Sequence, residues 1–413
     1  MDLGEPVQHV STALDVVKRG APDGPVAIAR PHRVRAAADW FLAHFPGEVF
    51  YAVKANPSPW VIDALWDAGV RGFDVASEAE IDQIKARYAN AQLAFMHPVK
   101  SRRAIRRAYE KGVRAFALDS EDELDKILAE TDGARDLTLI VRLAVSNDAA
   151  SLPLAHKFGV STAAAPALIR RARAATEEML GISFHVGSQC MRPLAYKQAM
   201  LEANRVIVQA GVVVDIINVG GGFPAIYPGM HPPAMDAYMR EIREAFEEMF
   251  VAQNAKLWAE PGRALVAEAG SILARVDLRK GDALYLNDGA YGNLFDATHV
   301  HWPFPVALVR ERRSNAKLAP FRFYGPTCDS MDAAAGPFML PADIAEGDFI
   351  EIGMTGAYSV AMATRFNGFG ETELVFAADA PWPTLFAASA QSLEPAAPVV
   401  RLADRKGRTR RSK

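Results

Sequence analysis

The sequence predicts an α/β protein, a (β/α)8 barrel followed by an antiparallel β-domain that takes in the N-terminal strand. Three observations carry this expectation. Between residues 33 and 270, short apolar runs alternate eight times with helix-patterned segments, the order of a parallel barrel. After Gly270 the apolar runs shorten and are parted by Gly, Pro and Asp, as antiparallel strands are. The chain has 413 residues, more than one ordinary compact core accommodates.

The eight strand candidates are 49–53, 72–75, 93–96, 115–118, 138–143, 182–186, 214–219 and 256–259. Between them, segments 59–67, 78–87, 102–111, 121–130, 166–178, 196–209 and 235–252 space their apolar residues as helices do, and several open on Ser or Asp at an N-cap. The β-domain strands are expected at 274–278, 283–287, 306–309, 349–352 and 374–378, joined by the opening run 26–30. The expected division is a barrel at 33–270, a β-domain at 1–32 plus 271–400, and a basic tail at 401–413.

Composition narrows the function classes. Half of the residues are apolar and the formal charge is −3, so no nucleic-acid or membrane partner is expected of the folded body. The stretch 401–413 carries seven Lys or Arg residues, the composition of a solvated, disordered tail. Two cysteines, Cys190 and Cys328, make no disulfide framework and fit a reducing cytoplasm. The first twenty residues hold no apolar h-region, and no window reaches a membrane-spanning length. No metal is expected.

A barrel places its chemistry just beyond the C-terminal ends of its strands. Those positions hold Lys54, Asp74, Arg142, His185, the run Gly220, Gly221 and Gly222, then Glu260 and Arg263. A lysine ending an apolar strand either snorkels to the rim or sits in low dielectric, which favours a neutral amine able to form a Schiff base. The glycine run is either a tight turn or a set of unshielded backbone N–H groups suited to a phosphate. Arg263, three residues beyond Glu260, could add charge-assisted contacts to the same phosphate. Taken together they describe a socket for pyridoxal phosphate, with Glu260 keeping the pyridine nitrogen protonated. His185 is either a hydrogen-bonded core residue or a ring stacked on the cofactor.

The motifs YAVKAN (51–56), FDVASEAEI (73–81), FHVGSQC (184–190), GGGFP (220–224) and EPGR (260–263) run in order through the barrel. NDGAYGNLFDATHV (287–300), GPTCDSMD (325–332) and GAYSVAMATRFNGF (356–369) continue them. On these motifs the chain resembles the pyridoxal-phosphate-dependent ornithine, lysine and diaminopimelate decarboxylases, most of all the ornithine decarboxylases. The resemblance implies that Lys54 is the Schiff-base lysine and that Ser188, Gly220–Gly222, Arg263 and Tyr358 contact the phosphate. It assigns Glu260 to the pyridine nitrogen, His185 to the ring face, and Asp74 and Arg142 to supporting roles. Cys328 matches the residue that returns a proton to the α-carbon, reaching the opposite subunit of a homodimer. Read alone, a cysteine is in the usual case a small hydrophobe, but the Gly325–Pro326 and Asp329 neighbours of Cys328 argue for an exposed turn. Lys157 and Asp332 resemble a salt bridge across the dimer interface.

The resemblance also assigns substrate. Asp296 and Asp329 match the pair that receives the distal ammonium of ornithine, with Phe295 and Phe366 in the same pocket. A cation entering a partly dry site needs such a counter-charge. Diaminopimelate decarboxylases carry CES where this chain has Cys328–Asp329–Ser330, which disfavours that substrate. Lysine differs from ornithine by one methylene, worth only about 1–3 kcal/mol to a pocket, and Phe295 lacks the hydroxyl of the tyrosine common there, so lysine activity is also expected. The non-enzyme alternative is an inactive regulator of the antizyme-inhibitor kind, in which cofactor residues tend to be lost.

Overall fold

The computed structural model describes residues 7–153, 157–300 and 302–386. Eight parallel strands, Glu48–Ala52, Gly72–Val75, Gln92–Phe95, Ala115–Leu118, Thr138–Arg142, Leu180–Ser183, Ile216–Asn218 and Lys256–Ala259, follow one another around a closed barrel. The last pairs with the first through Trp258 opposite Glu48 and Ala259 opposite Val49. All eight expected runs are strands of this barrel.

The sixth ends three residues sooner than expected, at Ser183. Phe184 and Val186 are as buried as strand residues, but the chain has already left the ladder. An apolar run reports burial and cannot by itself tell a strand from a buried loop. His185 therefore stands in the loop, two residues past its strand.

The helices open where small polar residues satisfy their free N–H groups. Ser77, Ser101 and Ser120 accept from Glu80, Ala104 and Glu123. Pro31–His44, the helix before the first barrel strand, starts on proline, whose missing N–H costs nothing at that position. Phe50, Ala94, Met96, Ala117, Ile140 and Trp258 belong to one buried cluster. A far larger apolar layer includes strand and helix residues such as Tyr51, Phe73, Ile62 and Ile105.

Of the remaining strands, Ala150–Leu152 and Ser188–Cys190 pair with each other, and the other nine form one sheet. At its centre Gly270–Lys280 pairs antiparallel with Val26–Ala29, Ala283–Leu286 and Phe349–Ile352. Parallel pairings also occur, of Glu373–Ala377 with Gln8–Val10 and Val26–Ala29, and of Ala283–Leu286 with Leu318–Tyr324. Leu318–Tyr324 and Ala333–Pro341 pair antiparallel and were not expected from the sequence. The second reads AAAGPFMLP, and its alanines, glycine and prolines hide the strand from propensity arguments. The basic stretch 401–413 and the segment 387–400 lie outside the described residues.

Barrel and sheet meet beside the first barrel strand. Asn56 Nδ2 donates to Gly356 O at 2.8 Å, and Tyr358 N donates to Ala55 O at 2.8 Å. Below them the buried Arg30 guanidinium, wholly enclosed, donates to Glu351, Asp379 and Ser271 at 2.7–2.8 Å. Among the described residues no helix is long and apolar enough to cross a membrane.

Candidate active site

Lys54 lies in the one-turn helix Val53–Ala55 that follows the first barrel strand. Ladder pairing sets Ala52 opposite Asp74 on the next strand, and Lys54 Nζ donates to Asp74 Oδ2 at 3.0 Å. Burial, the largest single effect, works to lower the lysine's pKa, but Asp74, Tyr358 and Glu260 together outweigh it, and the result is raised above the ordinary value. The expectation of a neutral amine is thus corrected: Lys54 is held as an ammonium by the adjacent strand's carboxylate, and its side chain keeps 48% of its accessible surface. It must give up a proton before it can act as a nucleophile.

Glu260 follows the eighth strand and is almost fully buried. Burial, then the charge of Asp74, pushes its pKa up to about 7 against the opposing effects of Lys54, Asn218 and Arg142. Asn218 Nδ2 donates to Glu260 Oε1 at 2.6 Å, and Asn218 Oδ1 accepts from Gly220 N at 2.9 Å. The sequence reading missed Asn218. Its signal was a polar residue ending the apolar run IIN immediately before VGGG.

His185 is drawn down to about 3 by burial, then by the nearby charges of Arg142 and Lys54. The imidazole is therefore neutral, and its Nδ1 accepts from Gly187 N at 2.9 Å. Arg142 ends the fifth strand and stands over the Phe158 ring, 5.4 Å from its centroid. Its guanidinium makes no hydrogen bond or ion pair with a described residue.

The glycine run closes the wall between these groups. Gly220 and Gly222 have φ of +67° and +100°, a region that side chains rarely adopt. A Cβ on Gly222 would collide with the Gly187 carbonyl, and one on Gly221 would sit 2.7 Å from Glu260 O and 3.2 Å from His185 Nε2. Only bare backbone fits between the loops carrying His185 and Glu260.

Arg263 is buried beside this wall. Its guanidinium carbon lies 4.9 Å from the Tyr358 ring centroid and within 5.8 Å of those of Trp302 and Tyr227. Nη1 donates to Asp296 Oδ2 at 2.6 Å and to Tyr227 OH at 2.8 Å. Its Nε is buried with no hydrogen-bond partner, and the Ser188 hydroxyl makes no hydrogen bond with a described residue. An unpaired guanidinium N–H beside a bare glycine backbone suits a phosphate oxygen. Tyr358 reaches this position by adopting φ +55°, a conformation uncommon for a bulky residue.

Asp296 was expected to stand open for a substrate ammonium. Here it is 7% exposed and ion-paired to Arg263, because a buried guanidinium needs a counter-charge. Phe295, next to it, stacks on His299 with centroids 4.0 Å apart. Cys328 is exposed and Asp329, beside it, is half-buried. Neither hydrogen-bonds nor ion-pairs with Lys54, Asp74, His185, Glu260 or Asp296 of the same chain. Asp329 Oδ2 accepts from Tyr291 OH at 2.7 Å, and Tyr291 packs on the exposed Phe366 at 4.8 Å.

Lys157 and Asp332 form no pair within the chain. Lys157 is exposed. Asp332 is 2% exposed, and its carboxylate accepts from Ala290 N, Thr327 N and Thr327 Oγ1 at 2.6–3.0 Å. This arrangement folds the 325–332 turn onto residues 289–290. Two backbone N–H groups and a hydroxyl thus hold the carboxylate expected to face a partner's lysine.

The chain's sequence matches the family "Pyridoxal-dependent decarboxylase, pyridoxal binding domain" over residues 31–267. It is 32% identical to a lysine/ornithine decarboxylase of Selenomonas ruminantium over 86% of this chain and 90% of that protein. It is 34% identical to an ornithine decarboxylase of Caenorhabditis elegans over 78% and 80%. Antizyme inhibitor 2 of Xenopus laevis is 31% identical over 79% and 75%. The arginine decarboxylase of Paramecium bursaria Chlorella virus, solved with agmatine, superposes with a TM-score of 0.79 at 27% identity, covering 88% of this chain and 98% of that one. The chain belongs to the pyridoxal-phosphate-dependent family of ornithine, lysine and arginine decarboxylases. Its cofactor is pyridoxal 5'-phosphate.

Proposed function

We propose that the protein converts L-ornithine to putrescine and carbon dioxide. The observation that carries this choice is Asp329. It is a half-buried carboxylate adjoining the exposed Cys328 thiol, and it has no cationic partner among the described residues. A carboxylate there is fitted to receive an ammonium at the far end of a substrate. Asp296 is the second carboxylate, and its engagement with Arg263 leaves Asp329 as the one open to a cation.

Bound pyridoxal phosphate supplies an aldehyde for an amine and a ring that withdraws electrons from the α-carbon. Lys54 carries the amine that anchors it, and Asp74 holds the lysine's proton close by. Gly220–Gly222, Arg263, Ser188 and Tyr358 hold the phosphate. Glu260, fixed by Asn218, pairs with the pyridine nitrogen. A neutral His185 offers the ring a face without adding charge, and Arg142 lends positive potential behind it. Cys328 returns a proton to the α-carbon after carbon dioxide leaves. Since Cys328 and Asp329 do not reach the Lys54 cluster of their own chain, a second copy brings them to it, and the working unit is a homodimer.

Lysine is the second reading, favoured by Phe295, which offers its neighbourhood no hydroxyl. Among the described residues no cationic side chain pairs with Asp329 to receive the second carboxylate of diaminopimelate. A non-catalytic regulator is opposed by the presence of Lys54, Glu260, Arg263, Cys328 and Asp329 together. The test is carbon dioxide release from L-ornithine, L-lysine, L-arginine and meso-diaminopimelate with added cofactor. The highest kcat/KM is expected for ornithine. A higher value for lysine or arginine overturns the substrate assignment, and no release from any of the four overturns the enzyme reading.

A further inference from the structure

The 364–370 loop meets the Cys328 turn at one side chain. Asn367 Oδ1 lies 3.3 Å from Cys328 N and 3.3 Å from Cys328 Sγ. Asn367 has φ +55°, and Gly368 and Gly370 follow at +82° and +97°, so the loop curls back on itself. Asparagine tolerates that backbone better than most residues. The curl is tied down at its other end, where Thr364 N and Oγ1 donate to Tyr291 O at 2.8 and 3.0 Å. Tyr291 in turn donates to Asp329. Residues 291, 328–329 and 364–367 therefore form one hydrogen-bonded unit that presents a thiol and a carboxylate together.

We propose that Asn367 is a positioning residue for Cys328, fixing the thiol in one rotamer with its S–H turned to a carboxamide oxygen. The chemistry of the acceptor matters. A carboxamide oxygen accepts an S–H hydrogen bond but does not take the proton. A histidine at that place would draw the proton off and leave a nucleophilic thiolate. The unit is thus built to deliver a proton: the S–H bond breaks as a C–H bond forms at the α-carbon, and water reprotonates the resulting thiolate. This inference rests on the reading of Cys328 as the proton donor. A mispositioned thiol lets the proton go to a carbon of the cofactor instead. Hydrolysis then yields an aldehyde and the aminated cofactor.

Asn367→Gly removes the acceptor while keeping a residue at ease at positive φ, and Asn367→Asp keeps both acceptor and conformation. In the cofactor-free full-length protein, iodoacetamide alkylation of Cys328, located by peptide mass, is expected to quicken about fivefold in Asn367→Gly and to fall to or below the parent rate in Asn367→Asp, whose carboxylate keeps the acceptor and disfavours the reactive thiolate. Cys190 is buried and does not compete. In the holoenzyme with L-ornithine, the share of turnovers ending in aldehyde is expected to rise in Asn367→Gly and to return in Asn367→Asp. Equal alkylation in all three proteins overturns the proposal. So does an unchanged aldehyde share in Asn367→Gly when Cys328→Ala raises it. If Cys328→Ala itself forms no aldehyde, the assigned role of Cys328 falls instead, and the alkylation result stands apart from it.

Discussion

Asn218 spans the wall of the site, donating to Glu260 Oε1 at 2.6 Å while its carbonyl accepts from Gly220 N at 2.9 Å. One amide thereby fixes the rotamer of a buried acid and the first turn of the glycine run. Asn218→Ala should loosen both, weakening cofactor binding about tenfold, the scale of a lost hydrogen bond to a charged group. A titration of pyridoxal phosphate into the variant measures this, and an unchanged Kd would count against the linkage.

Glu260 has a folded-state pKa of about 7 in place of the ordinary 4.5. Between these values the folded cofactor-free protein holds a proton that the unfolded chain has lost, so stability falls as pH rises through that window. Glu260→Gln removes this dependence. The cofactor-free variant should melt above the parent at pH 8 and close to it at pH 4, while its decarboxylase activity falls about a hundredfold or more. Melting curves at the two pH values, alongside carbon dioxide release, decide the matter.

His185 shifts the other way, from 6.5 to about 3. The unfolded chain binds a proton that the folded one refuses, so stability falls as pH drops below 6.5. His185→Phe keeps a flat ring but deprives Gly187 N of its acceptor, at a cost of about 1 kcal/mol at neutral pH. By pH 4 that deficit should shrink or reverse. A deficit equal at both pH values would show that the imidazole is not held neutral.

Lys54→Ala should abolish covalent capture of the cofactor, read as loss of both the visible absorbance and the borohydride-trapped adduct. It also leaves the buried Asp74 without its ammonium, so the melting temperature should fall, and adding Asp74→Asn should recover part of it. A trapped adduct that persists in Lys54→Ala would move the anchor to another lysine.

Gly222→Ala should cost more than 2 kcal/mol and cofactor affinity together, because the new Cβ meets the Gly187 carbonyl at a φ of +100°. Chemical denaturation and cofactor titration give the two numbers. A variant with parental stability would mean that the loop yields.

What the sequence makes legible follows from range. Lys54, Glu260, Arg263 and the glycines were readable because each ends a barrel strand, and strand ends share one face whatever the details. The charge state of Lys54 was misjudged because Asp74 is twenty residues away, and only ladder pairing brings it to 3.0 Å. Asp296 looked open for the same reason, its partner Arg263 being 33 residues earlier. Asn218 and Asn367 passed unnoticed because their partners lie on other loops. The strand Ala333–Pro341 escaped because its composition argues against extended structure, although pairing with Leu318–Tyr324 supports it.

The bonds from Asn56 to Gly356 and from Tyr358 to Ala55 tie the two residues that follow Lys54 to the sheet, in the interface between barrel and sheet. The anchoring turn is thus a seam as well as a site. Anything that binds there and spans Lys54 and Tyr358 clamps the two layers to each other, and by mass action their separation must release it. Saturation with cofactor should therefore raise the temperature at which the two layers part.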